Sequence, residues 1–309
     1  MRNLHLFLSI FFITIQANSQ AQFYKPLCAK AFEATSRPVL VESDGFLCFD
    51  NLQEAVAENW KFNTDVKVKS ASEIDQTIAA NPNGKWVILS AGFRNEVKTV
   101  QGKMVSIKSY VVSLHLSEDA NFRSGKDVDK RFLYKMGFPS CVNSDVELML
   151  FLKNAQSQIK EMAPQEMSSK SMKKFNESVA SATAGTEKVL LLPKDQVLIS
   201  ESEIKAAYPN PFKLVSREEI HTKIELGSAT EMVLNIVWSD KKMNWALMAF
   251  DLESYQVNLT YPLRTYKPKV TKLSVAVGAI LAIEKEAKKV TIKELQKLAA
   301  NATKIITAK

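Results

Sequence analysis

Ser70-x-x-Glu73-Ile74-x-x-x-Ile78 recurs as Ser216-x-x-Glu219-Ile220-x-x-x-Ile224, and the same 146-residue offset lays Val87-Ile88-Leu89 over Val233, Leu234 and Asn235. Each motif is a capping box: the serine hydroxyl accepts from the N3 amide, the glutamate reaches back to the serine amide, and an apolar helix face follows. A chain that repeats a helix start and the next apolar strand at one offset is constrained to build one small module twice.

The neighbouring elements repeat in the same order. In the second half, Val189–Leu192 reads as a buried strand stopped by Pro193, and Ser200 with Glu203 opens a helix that ends before Pro209. Phe212–Val215 is a strand, Ser216 caps a helix ending at Gly227, and Met232–Trp238 with Asn244–Leu252 forms a hairpin. Leu273, Val277, Ile280, Leu281 and Glu284 follow at helix spacing, and Thr291-x-x-Glu294 opens a last helix with Leu295, Leu298, Ala302 and Ile305 on one face. In the first half the strand is Val39–Val41 or Phe46–Phe49. A helix over Asn51–Asn59, a strand over Val66–Lys69 and the Ser70 helix ending before Asn81-Pro82-Asn83-Gly84 come next. Trp86–Ser90 and Val105–Leu116 make a longer hairpin with about eleven inserted residues between Arg94 and Ser109, and Ser144-x-x-Glu147 caps a helix through Leu148, Leu152 and Ile159.

The expected fold is therefore α+β, with two similar lobes, each a small mixed β-sheet with helices packed on one face, in the order β-α-β-α-β-β-α. Residues 22–161 form the first module and 188–309 the second, joined by a serine- and alanine-rich linker at 162–187. Two such lobes facing one another would leave a cleft, where ligands commonly bind.

Residues 1–21 read as a signal peptide: Arg2, the ten-residue apolar-rich stretch Leu6–Ile15, then the small residues Ser19 and Ala21. Ten residues are about half of the ~20 that a membrane-crossing helix needs, and no later run is long enough to be a transmembrane span. Export makes disulfides possible, and Cys28 with Cys48 is the favoured pairing. The alternative is that Cys28, Cys48 and Cys141 are all free thiols packed as small hydrophobes.

The chain carries a net charge of +8, reduced to +7 when Arg2 leaves with the signal peptide. The densest positive region is the C-terminal helical stretch, where Lys285, Lys288, Lys289, Lys293 and Lys297 alternate with aliphatic residues. That pattern is the solvated face of an amphipathic helix, and peripheral membrane contact is a further use for it. Nucleic-acid binding is not expected, because no aromatic residue follows Tyr266 to stack on bases.

Little in the chain points to catalysis. Beyond His5 in the signal peptide the histidines are His115 and His221, which do not sit in metal-ligand spacing, so no metal or cofactor is expected. Cys48 or Cys141 with His115 is the one thiol–imidazole pairing available, and Asp44, Asp50, Asp240 and Asp251 lie at strand ends or turns. Trp60, Trp86, Trp238 and Trp245 are the large aromatics able to stack on a ligand, although the last three fall in apolar strands that suit a core.

Val189-Leu190-Leu191-Leu192-Pro193-Lys194, followed by Tyr208-Pro209-x-x-Phe212-Lys213-Leu214-Val215-Ser216-x-Glu218-Glu219-Ile220, resembles uncharacterised exported proteins of Bacteroidota-type bacteria. The resemblance covers about forty residues and its motifs are structural, so it implies an exported module and transfers no activity. Taken together, the sequence leads to a non-catalytic periplasmic or secreted protein that binds another envelope protein or a small ligand. A secreted hydrolase using carboxylates or a cysteine nucleophile is the alternative.

Overall fold

A computed structural model describes residues 31–47, 49, 51–100, 103–118, 132–139, 145–162, 187–197, 199–239, 244–262, 290–293 and 295–299. In the first half a 3-10 turn (Ala31–Thr35) leads to β1 (Val39–Glu42), α1 (Leu52–Asn59), β2 (Val66–Lys69) and α2 (Ala71–Ala80). Three strands follow, β3 (Val87–Val100), β4 (Lys103–Leu116) and β5 (Phe132–Phe138), then α3 (Val146–Met162). The second half runs β6 (Val189–Pro193), α4 (Glu201–Ala207), β7 (Phe212–Val215), α5 (Arg217–Leu226), β8 (Glu231–Ser239), β9 (Asn244–Asp251) and β10 (Val257–Pro262).

The capping boxes of Ser70, Ser200 and Ser216 all form and start α2, α4 and α5. The Ser144 cap expected for α3 lies outside the described residues. Glu147 is the second residue of α3, and its carboxylate receives the guanidinium of Arg217 on α5.

Both halves pair their strands in the same order and sense. β1 lies parallel between β2 and β3, and β3, β4 and β5 continue antiparallel. Likewise β6 lies parallel between β7 and β8, and β8, β9 and β10 continue antiparallel. Each half thus has one strand more than the sequence order predicted, β5 in the first and β10 in the second.

The expected separate lobes share one mixed sheet of ten strands. β8 is long enough to pair with β6 through Glu231, Met232 and Val233 and still meet β5 through Gly137 and Trp238. A Cβ on Gly137 would lie 2.8 Å from the Cβ of Trp238, so the junction needs a residue without one.

Helices cover both faces rather than one, because strand alternation exposes two apolar surfaces. Val39, Val41, Val87 and Leu89 belong to one core, whereas Leu40 and Ile88 pack with Ile74 of α2 on the other side. In the second half Leu191 and Val233 join the first of these cores, while Leu190, Leu192, Met232 and Leu234 pack with Ile204 of α4. Leu295 and Leu298 lie in this last core, and Val290 bridges to Val197. Of the C-terminal basic stretch the described residues thus bury Leu295 and Leu298 against the sheet and leave Lys293 exposed, while the helix expected through Leu273–Glu284 and Lys285, Lys288 and Lys289 lie outside the described residues.

The expected inter-lobe cleft is filled by α3. Leu148, Met149, Leu150, Phe151, Leu152, Ala155 and Ile159 are all buried, as in a helix enclosed on every side. Its buried amides tie it to the rest of the first half and, through Asn154, to the second. Asn154 accepts from the Tyr134 hydroxyl of β5 and donates 2.6 Å to the carbonyl of Tyr255, while Gln156 donates to the Asn59 carbonyl and accepts the Lys61 amide at 2.6 Å.

Candidate functional site

A cavity opens in the first half, where the chain leaves β1. It has a volume of about 460 Å³ and is lined by Ser43, Phe46, Phe49, Asn51, Leu52, Gln53, Glu54 and Val68. Its near wall is the 3-10 turn Ser43–Gly45, seated on β3. A Cβ on Gly45 would fall 1.8 Å from the carbonyl oxygen of Ala91, so only glycine permits this approach. The Tyr110 hydroxyl fixes the turn by donating 2.9 Å to the Gly45 carbonyl, and burial raises the Tyr110 pKa above its ordinary value.

Phe46 is buried and meets Phe49 edge to face at 5.5 Å. Between them in the chain Leu47 is 78% exposed. The far wall is the start of α1, whose N-cap Asn51 makes no side-chain capping bond. Asp44 points away from the cavity and accepts the Ala71 amide at the start of α2, 3.0 Å away.

The turn marks the place where β3 leaves the sheet. β1 accompanies β3 only to Leu89, and β5 accompanies β4 only from Tyr110 onward, yet β3 and β4 remain paired as far as Val100 and Lys103. At the foot of this two-stranded extension Phe93 is 46% exposed and meets Tyr110 edge to face at 5.3 Å. The cavity, Leu47, Phe93 and the extension thus occupy one region. The Asn51 and Gln53 amides, the Ser43 hydroxyl and the Glu54 carboxylate line the cavity together with Phe46 and Phe49.

The residues singled out from sequence are not gathered here. Cys28, Cys48, Cys141, Asp50 and Asp240 lie outside the described residues, and so does the Cys28–Cys48 pairing. Asp251 is buried and holds a turn. One oxygen accepts the Glu253 and Ser254 amides at 2.9 Å each, and the other receives Lys188 at 2.5 Å and Asn258 at 2.9 Å. Burial opposes its ionisation, but Lys188 and the two amides outweigh burial and hold the carboxyl below its ordinary range. His221 lies 3.9 Å from Asp145 and 3.7 Å from Glu225 on a partly exposed helix face.

His115 is buried in β4, with Nε2 3.1 Å from the hydroxyls of both Ser90 and Ser113. Those hydroxyls lie 3.1 Å apart, and buried Lys135 is the ladder neighbour of Ser113. This polar cluster escaped the sequence reading, although Ser113-x-His115 on one strand opposite Ser90 is a legible alternation. Trp60, Trp238 and Trp245 are buried, and the last two pack edge to face at 5.1 Å, so they serve the core. Among the described residues no group of three metal-ligating side chains converges, and no helix is long and apolar enough to cross a membrane.

Comparison of the chain with protein-family models, curated proteins and solved structures found no match.

Proposed function

We propose that the protein is exported and works without catalysis, by binding another protein of the envelope at the cavity beside the β3–β4 extension. The observation that carries this reading is a cavity of about 460 Å³ lined by Phe46 and Phe49, with Leu47, which lies between them in the chain, 78% exposed. Exposed apolar side chains grouped around a concave site with polar edges mark interaction surfaces. The apolar N-terminal stretch Leu6–Ile15 supports export.

The test places a photo-crosslinking residue at position 47 and, as a control, at Leu226, which is 79% exposed on α5 away from the cavity. A protein adduct of defined mass at position 47 and none at position 226 is expected in cells of the host. Equal labelling at both positions sinks the reading. A thermal shift with small molecules from the same extract, without a protein adduct, replaces the protein partner by a small ligand.

A further inference from the structure

We infer that the open edges of the β3–β4 extension take up an extended acidic segment of the partner as an added strand. This inference rests on the protein-binding reading and adds the partner's chemistry. Six registered pairs, from Asn95–Lys108 to Val100–Lys103, have no third strand beside them among the described residues. In an antiparallel pair alternate residues turn their N–H and C=O groups outward, so each edge offers about three residues' worth of unused donors and acceptors. A two-stranded ribbon is marginal in water on its own, and an added strand supplies the third.

The second half makes the contrast. Its corresponding hairpin, β8 with β9, is paired as far as Ser239–Asn244, with only four residues between the two strands. The first half therefore lengthens this hairpin where the shared topology does not require it.

Charge selects the occupant. Residues 95–108 contain Lys98, Lys103 and Lys108 against Glu96, a net charge of +2. Lysines on an open edge discourage pairing with a second copy, since like charges on neighbouring strands repel. They favour a strand rich in aspartate or glutamate.

The experiment titrates the full mature chain with a labelled peptide of alternating glutamate and valine. A peptide of equal charge interrupted by proline, which cannot pair as a central strand, is the control. The alternating peptide is expected to bind at least tenfold more tightly than the control and to slow amide exchange within residues 95–108. Lys98→Gln/Lys103→Gln/Lys108→Gln is expected to weaken it at least tenfold. Equal binding of both peptides would reduce the extension to an electrostatic patch and overturn strand addition. No peptide binding, with co-sedimentation on phosphatidylglycerol vesicles instead, overturns it in favour of a membrane surface. A position-47 adduct that persists when the peptide fails to bind separates this failure from failure of the protein-binding reading.

Discussion

Arg217→Ala should destabilise the fold strongly at neutral pH and much less in mild acid. Glu147 is only 4% exposed and shares the Arg217 guanidinium with Asp195, which lies 3.0 and 2.9 Å from it and is half exposed. Loss of Arg217 costs little at Asp195, where water replaces it. At Glu147 it leaves a buried carboxylate without its cation, for which about 3–5 kcal/mol is usual. Protonation sets a ceiling. Neutralising a glutamate of unperturbed pKa about 4.3 at pH 7 costs roughly 1.4 kcal/mol per unit, or about 3.7 kcal/mol. At pH 5 the same step costs about 1 kcal/mol. The expected loss is therefore at most about 3.7 kcal/mol at pH 7 and about 1 kcal/mol at pH 5, read from urea unfolding of the full chain. The sign follows from burial, which already raises the Glu147 pKa and is only partly offset by Arg217. A carboxyl raised in the folded state binds more protons there, so stability falls as pH rises from the unfolded value through the folded one. Losing Arg217 steepens that fall. A loss below about 1 kcal/mol at pH 7 would refute the buried ion pair as the tie between α3 and α5, as would an equal loss at both pH values.

Gly137→Ala should cost about 1–3 kcal/mol in urea unfolding, since its new Cβ meets the Trp238 Cβ at 2.8 Å, whereas Gly92→Ala, with nothing within 4 Å, should be near neutral. Ser200→Ala and Ser216→Ala should each lower stability by about 1 kcal/mol, additively, because their capping boxes are separate. Asp251→Asn should flatten the acid limb of the stability profile. Its depressed carboxyl contributes stability above the unfolded pKa, and that contribution is lost as pH falls through the folded value; acid titration of the two proteins by circular dichroism compares them.

Local chemistry made much of the fold legible. Ser70, Ser200 and Ser216 cap helices because the box is a contract between residues three apart, and no distant partner enters it. Val189–Pro193 and Phe212–Val215 read as strands because β-rich apolar runs bounded by proline or serine have few other uses. β5 was hidden by Lys135 and Gly137, which interrupt its apolar run; the structure buries Lys135 beside Ser113 and needs Gly137 against Trp238. β10 carries alternation at Val257, Leu259 and Tyr261 and is closed by Pro262, so it was legible and the sequence reading passed over it.

The candidate site was less legible. Phe46–Phe49 read as an alternative strand, but two of its apolar side chains shape a cavity and one faces out, which depends on the seating of Gly45 against Ala91.

By itself the sequence determined the capped helices, the repeated order of elements and the lengthened first hairpin, because each is written in residues a few positions apart. Only the tertiary structure decided that the halves share one sheet, that α3 fills the space between them, and that Leu47 is left exposed beside a cavity. The first two outcomes turn on contacts between residues about a hundred apart, such as Gly137 with Trp238 and Asn154 with Tyr255, and the third on Gly45 against Ala91; no local pattern encodes their geometry.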